Sequence, residues 1–197
     1  MRRRAGSHVA ALAVLALSAG GCRPHGQAAA AAPASSSAAV GGPFQLIDQD
    51  GRPVSDRDLL GKPSVVFFGF TYCPDVCPTT LAGISDWMKA LGPDADGINL
   101  VFVTIDPDRD TPAVLKRYLA SFDPRFRGFT GSDAAVAQAE HAYAVYAQKV
   151  ALAGGGYTMD HSTNIYLMGR DGRFAELLST DETTPEALAA LHRALKG

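Results

Sequence analysis

The apolar run Ser64-Val-Val-Phe-Phe-Gly-Phe70 passes directly into Thr71-Tyr-Cys-Pro-Asp-Val-Cys-Pro78. A run without polar alternation is the signature of a strand buried on both faces. Pro78 suits the first turn of a helix, where its missing N–H costs nothing. The sequence therefore requires a covered strand that delivers Cys73 and Cys77 to the start of a helix. A strand covered on both sides needs layers above and below it, which points to an α/β domain.

The rest of the chain repeats that alternation. Phe44 to Asp48, the turn at Gly51 and Arg52 to Val54 predict a hairpin. Asp56 to Leu60 predicts one helical turn, ended by Gly61. Pro78 to Leu91 places Leu81, Ile84, Trp87, Met88 and Leu91 at helical spacing and stops at Gly92-Pro93. Asn99 to Ile105 is a second buried strand. Thr111-Pro112 reads as a cap followed by a first-turn proline, opening a helix to about Phe122. Phe126 to Thr130 is a short strand, and Asp133 is expected to cap a helix to about Gln148. After a glycine-rich loop, Asn164 to Met168 is a strand, Arg170-Asp-Gly172 a hairpin turn, and Arg173 to Leu178 the returning strand. Thr184-Pro185 opens a final helix with Leu188, Leu191 and Leu195 on one face. The expected fold is thioredoxin-like: a central mixed sheet flanked by helices, with an N-terminal hairpin extension and an insertion between the second and third main strands.

The N-terminus is not part of that domain. Arg2, Arg3 and Arg4 precede a short apolar segment, Val9 to Leu17, and then small residues up to Cys22. This is the pattern of an export signal over residues 1–21, and it is too short for a comfortable membrane span. The Ala19-Gly-Gly-Cys22 ending resembles a bacterial lipobox, with Ala19 where leucine is usual, which makes Cys22 the expected lipidation site. The cysteine count fits. Three cysteines leave one unpaired in an exported chain, and lipidation of Cys22 leaves Cys73 and Cys77 as a pair. Residues 22–43 are rich in Ala, Ser, Pro and Gly and cannot bury enough surface to offset their ordering entropy. They are expected to form a tether with a root-mean-square reach of roughly 25 Å, leaving 44–197 as the folded domain on the periplasmic side of a membrane. No basic stripe interleaved with aromatics is present, which excludes a nucleic-acid partner.

Two thiols at a strand-to-helix junction can close a disulfide, attack one, or hold a soft metal. The helix N-terminus carries partial positive charge that favours the thiolate, the form that attacks or ligates. An inert staple is the weakest reading, because so short a loop gains little from closure. A thioredoxin-type redox enzyme normally has two residues between its cysteines and a cis-proline on the facing strand. Here three residues intervene, and the facing stretch Tyr157-Thr-Met-Asp-His-Ser-Thr163 has no proline. It offers His161 instead, a third donor for a cation. Two thiolates and an imidazole suit copper in either oxidation state. Both active readings stay open on these residues.

Three stretches together resemble the Sco/SenC copper-chaperone proteins. They are Phe68-Gly-Phe-Thr-Tyr-Cys-Pro-Asp-Val-Cys-Pro78, Val103-Thr-Ile-Asp-Pro-Asp-Arg-Asp-Thr-Pro112, and Asp160-His161 before a strand ending Leu167-Met-Gly-Arg-Asp-Gly172. Their order and spacing agree with that family from about Phe44 onward. The resemblance implies a thioredoxin-like fold and one copper ion held by Cys73, Cys77 and His161. It also implies delivery of copper to the dinuclear copper site of cytochrome c oxidase, in its copper-bearing subunit, or reduction of that site's cysteines by a redox-active Cys73–Cys77 pair. Other copper chaperones or thiol reductases are the further partners expected.

The surrounding residues carry weaker expectations. Asp106 ends the second buried strand, and in the family an Asp there stands behind the copper ligands, to tune or orient them. Its alternative role is a turn with helix capping. Arg109 is read as the partner of a local carboxylate, Tyr72 as packing on the loop, and Asp75 as solvent-facing. Met159 offers a thioether, with packing the ordinary alternative. His8, His25, His141 and His192 are not expected to ligate. Gly154-Gly-Gly156 lacks the context of a phosphate loop and is expected to let the segment carrying His161 move. A peroxidase of the peroxiredoxin kind is disfavoured by the paired Cys-Pro steps.

Overall fold

Strand β3 (Ser64–Gly69) is buried at every position, as its unbroken apolar run requires. The computed structural model describes residues 40–197. Before β3 come β1 (Gln45–Asp48) and β2 (Pro53–Ser55), the expected hairpin, and one 3-10 turn over Asp56–Leu59. Helix α1 (Val76–Leu91) follows β3, then a second 3-10 segment over Gly92–Gly97 that the sequence pattern did not reveal. Next are β4 (Asn99–Thr104), α2 (Pro112–Leu119), β5 (Phe126–Thr130) and α3 (Asp133–Ala142). Strands β6 (Ala147–Ala151) and β7 (Tyr157–His161) precede β8 (Ile165–Met168), β9 (Phe174–Leu178) and α4 (Thr184–Lys196).

Seven strands form one mixed sheet in the order β2-β1-β5-β4-β3-β8-β9. Strands β3, β4 and β5 run parallel, while β8 lies antiparallel to β3 and to β9. This is the thioredoxin-like α/β arrangement, extended by the β1–β2 hairpin beside β5. The alternation of β3 sorts its rings between two layers. Phe67 meets Phe102 of β4, on which Tyr118 of α2 stacks. Phe68 points the other way, against Tyr143 and Tyr166. Helix α1 buries Leu81, Ile84, Trp87, Met88 and Leu91, the stripe read from the sequence. Full burial of such a side chain contributes roughly 1.5–3 kcal/mol, so this stripe fixes α1 on the sheet.

Several boundaries differ from the sequence pattern. Helix α1 begins at Val76, two residues before Pro78, so Cys77 belongs to its first turn and Cys73 to the preceding loop. Ser132 caps α3, accepting from the Ala135 N–H, in place of Asp133. Helix α2 stops at Leu119 instead of Phe122. The larger correction concerns α3, which ends at Ala142 and not near Gln148. Ala144 takes a left-handed conformation (φ 52°) that breaks the helix, and the chain turns into β6. Strands β6 and β7 pair as a separate two-stranded ribbon. Gly154 to Gly156 form its tip, where Gly155 (φ 90°) and Gly156 (φ 75°) supply the left-handed turn.

At the N-terminal end, Val40 to Pro43 lie on the domain, although composition places them in the tether. Gly41 N–H donates to the Ala142 carbonyl at 2.8 Å, and Val40 packs against the core. The export signal and Cys22, with His8 and His25, lie outside the described residues. Among the described residues no helix is long and apolar enough to cross a membrane.

Candidate metal centre

The carboxyl ends of β3 and β4 lie side by side, the usual place for chemistry in an α/β sheet. Cys73 and Cys77 sit above the end of β3, and both are free thiols. Cys77 is wholly buried and Cys73 partly exposed. The Cys77 backbone N–H donates to Cys73 Sγ at 3.3 Å, so the first turn of α1 points an amide at the outer sulfur. The inner sulfur lies against Gly69. A Cβ there would stand 2.9 Å from Cys77 Sγ and 2.9 Å from the Phe102 ring. Only a residue without a side chain leaves room for this thiol. Burial pushes the Cys77 thiol far above its ordinary range, with the hydrogen bond to Cys73 adding to the effect.

His161 ends β7 and faces the thiols from the ribbon. Its Nε2 is 3.8 Å from Cys77 Sγ. Its Nδ1 lies 2.8 Å from the Ser162 carbonyl, which can only accept, so Nδ1 carries the proton and Nε2 keeps its lone pair. Phe70 packs edge-on against the ring at 5.9 Å. Burial lowers the His161 pKa from its ordinary value, the Ser162 bond opposing this. A cation bonded at about 2.3 Å to sulfur and about 2.1 Å to nitrogen, as zinc is, would subtend roughly 120° across this gap. That is a trigonal angle. The third donor, Cys73 Sγ, is turned to the Cys77 amide. Among the described residues no three Cys, His or carboxylate groups already form a closed ligand cage. Closing one requires the donors to draw together.

Asp106 is fully buried and sits in a turn. Its carbonyl accepts from the Arg109 and Asp110 N–H groups. Its carboxylate pairs with Arg109 Nε and accepts from Tyr157 Oη at 2.8 Å. The carboxylate thus reaches β7, four residues before His161, and bonds to no ligand directly. Arg109 is the local partner expected, and it stacks over Tyr72, which is otherwise exposed. Asp75 is exposed at the cap position of α1 without a capping side-chain bond. Met159 is half-buried against the core, and His141 and His192 are exposed on helices.

Sequence reasoning missed Asp110. Its buried carboxylate accepts from Thr71 N at 3.0 Å, Thr71 Oγ1 at 2.6 Å and Thr104 Oγ1 at 2.7 Å. It ties the start of the cysteine loop to the end of β4. Burial raises its pKa, and the two threonines oppose that rise. The only hint in sequence is its place in the Asp106-Pro-Asp-Arg-Asp110 run.

A thioredoxin-like domain that places two thiols at the carboxyl edge of its sheet, with an imidazole facing them from a separate ribbon, defines a thiol-based redox or metal-binding protein. The chain belongs to the SCO1/SenC family, whose model matches residues 32–196. It is 42% identical to Protein SCO1, mitochondrial, of Saccharomyces cerevisiae over 151 residues, 74% of this chain and 51% of that one. It is 40% identical to Protein SenC of Rhodobacter capsulatus over 159 residues, 79% of this chain and 70% of that one. Among solved structures, Bradyrhizobium japonicum ScoI with copper bound superposes with a TM-score of 0.75 at 52% identity, over 79% of this chain and 99% of that one. Yeast Sco1 with copper bound gives a TM-score of 0.74 at 36% identity, over 81% and 90%.

Proposed function

We propose that this protein is a copper metallochaperone holding one copper ion through Cys73, Cys77 and His161. The observation that carries the reading is the pairing of Cys77 Sγ with the lone pair of His161 Nε2 at 3.8 Å. Two sulfurs and an imidazole suit Cu(I) in a three-coordinate site, and Cu(II) with one further oxygen ligand. The copper-bound ScoI and Sco1 structures, similar to this chain over about four-fifths of it, support the same cargo. Copper is a passenger here. Cys73, half exposed, is the ligand through which an acceptor enters, exchanging thiolate for thiolate while Cys77 and His161 hold the ion. The acceptor we propose, from the family resemblance, is the copper-bearing subunit of cytochrome c oxidase at its dinuclear copper site. A lipid on Cys22 would hold the domain at the periplasmic face of the membrane where that site is assembled.

The reduced protein, titrated with Cu(I) under anaerobic conditions, is expected to bind one ion per chain. His161→Ala is expected to weaken that binding. Absence of tight copper, or binding indifferent to His161, would exclude this site.

One observation favours a second reading, thiol-disulfide exchange. The outer sulfur, Cys73, is partly exposed and within reach of an acceptor disulfide, with the Cys77 thiol enclosed behind it. Cys73 would attack a disulfide of the acceptor and release one acceptor thiolate. Cys77 would then break the mixed disulfide, leaving Cys73–Cys77 oxidised and the acceptor fully reduced. The two readings separate at His161: a reductase retains its activity in His161→Ala, and a chaperone does not.

A further inference from the structure

We propose that Arg109 is a positioning residue that couples the cysteine loop to the ribbon carrying His161, and so sets the distance between the sulfurs and the imidazole. The proposal rests on the copper reading above and extends it to a residue that touches none of the ligands.

The ribbon of β6 and β7 pairs with no strand of the main sheet. His161 stands at its base, opposite Ala147, and Tyr157 at the other end of β7 beside the glycine tip, so side-chain contacts at Tyr157 help set how β7 lies over the cysteine loop. Arg109 supplies them. Its Nη1 donates to the Tyr157 carbonyl at 3.0 Å, and its guanidinium lies 3.9 Å from the centre of the Tyr157 ring. Its Nε pairs with Asp106, whose other oxygen accepts from Tyr157 Oη at 2.8 Å. Tyr157 is thus held at its backbone, its ring face and its hydroxyl, and His161 follows on the same strand and the same face.

The guanidinium also meets the cysteine loop. Its centre is 4.7 Å from the Tyr72 ring, next to Cys73, and 5.9 Å from the Phe70 ring. Phe70 itself packs edge-on against His161. One cation therefore touches rings of both arms that bear the ligands. The Arg109 side chain is 22% exposed, and its Nη2 is enclosed without a hydrogen-bond partner. Stacking on the rings, together with the fork to Asp106 and Tyr157, is what holds it. A lysine would keep the charge but lose the plane and the fork.

The test compares wild type, Arg109→Lys, Tyr157→Phe and His161→Ala. Tyr157→Phe keeps the ring and removes only the bond to Asp106, so it serves if Arg109→Lys fails to fold. Two quantities are read below the melting temperature: Cu(I) affinity, and hydrogen exchange at the amides of residues 147–161. Groups that orient metal ligands from behind typically change affinity by roughly 10- to 100-fold when altered. Arg109→Lys is expected to lose copper affinity within that range and to speed exchange in the ribbon, while exchange in β3 and β4 and the Cys73–Cys77 potential stay at wild-type values. Tyr157→Phe is expected to change both in the same direction by less.

Unchanged exchange in the ribbon overturns the proposal, even if affinity falls, because the loss would then not come from the position of the ribbon. Faster exchange throughout β3 and β4 overturns it too, since Arg109 would then stabilise the whole domain. If wild type binds no copper, or His161→Ala binds as wild type does, it is the copper reading that fails. Ribbon exchange still decides the role of Arg109.

Discussion

His161 Nε2 stands 3.8 Å from Cys77 Sγ while Nδ1 donates to the Ser162 carbonyl at 2.8 Å. The two contacts act together. The carbonyl fixes the tautomer, and burial lowers the ring's pKa from its ordinary 6.5. The imidazole therefore remains a lone-pair donor in mildly acidic solution. In the metal-free reduced protein, nitrogen-15 NMR of the ring is expected to show the Nδ1–H tautomer and a titration midpoint below 6.5. A midpoint at or above that value would show that the ring is more exposed than this arrangement requires.

Stability should fall on both sides of neutrality. The neutral His161 of the folded state resists protonation, so the unfolded chain binds more protons once the pH drops below about 6.5, and stability is lost as the pH falls from there towards the lowered folded value. The Cys77 thiol behaves oppositely. Its folded pKa is raised, so its contribution is complete below the ordinary 9.0 and is lost as the pH rises above it. Urea melts of the reduced, metal-free protein between pH 5 and pH 10 are the check. Replacing His161 with Ala should flatten the acid limb, and Cys77→Ala the alkaline limb.

The two thiols should differ in reactivity. Cys73 is partly exposed and receives the Cys77 amide, whereas Cys77 is enclosed and its ionisation suppressed. Alkylation of the native reduced protein near pH 8 is expected to modify Cys73 first, by roughly tenfold or more in rate. Mass mapping after limited labelling reads this directly. Equal rates would mean that the first turn of α1 opens as fast as the reagent reacts.

The central sheet was legible because its strands are covered on both faces, and such burial leaves unbroken apolar runs at β3 and β4. Helices α1, α2 and α4 announced themselves by apolar spacing, and α2 and α4 also by proline beside a cap. The β6–β7 ribbon did not. Residues 147–151 are mostly exposed, so no apolar pattern marks β6, and Val136 to Tyr146 continue a helical spacing past the true end at Ala142. What stops α3 is a left-handed Ala144, which alanine does not advertise. The site divides in the same way. Cys73 and Cys77 were marked by spacing, and His161 by the residues around it. Asp110 to Thr71 and Arg109 to Tyr157 are contacts across 39 and 48 residues that only the tertiary fold brings together.

Asp110 provides a stability prediction. Its carboxylate accepts three hydrogen bonds from Thr71 and Thr104 with no exposure to solvent. Asp110→Ala would strand the Thr71 amide and both hydroxyls. Buried groups left unpaired cost about 1–3 kcal/mol each, partly recovered by water and rotation of the hydroxyls. The expected net loss is about 2–4 kcal/mol by chemical denaturation, with faster amide exchange at Thr71 to Cys73. A loss below about 0.5 kcal/mol would mean the loop is held by other contacts.

Gly69 gives the sharpest steric prediction. The added methyl of Gly69→Ala would sit 2.9 Å from both the Cys77 sulfur and the Phe102 ring. Gly69 is the last residue of β3, paired with Thr104, and its carbonyl accepts from the Ile105 N–H, so the backbone cannot yield without disturbing the end of the β3–β4 ladder. Phe102 is fully buried and stacked on Phe67 and Tyr118, so it has little room to retreat. The sulfur, at the start of a helix, is the neighbour that gives. Overpacking of this kind costs about 1–3 kcal/mol. The substitution should therefore lower stability by that amount and also weaken copper binding, by displacing Cys77 from His161. Stability is read by denaturant titration and affinity by competition with a Cu(I) chelator. Full stability with unchanged affinity would show that the space around Cys77 is not filled as this contact requires.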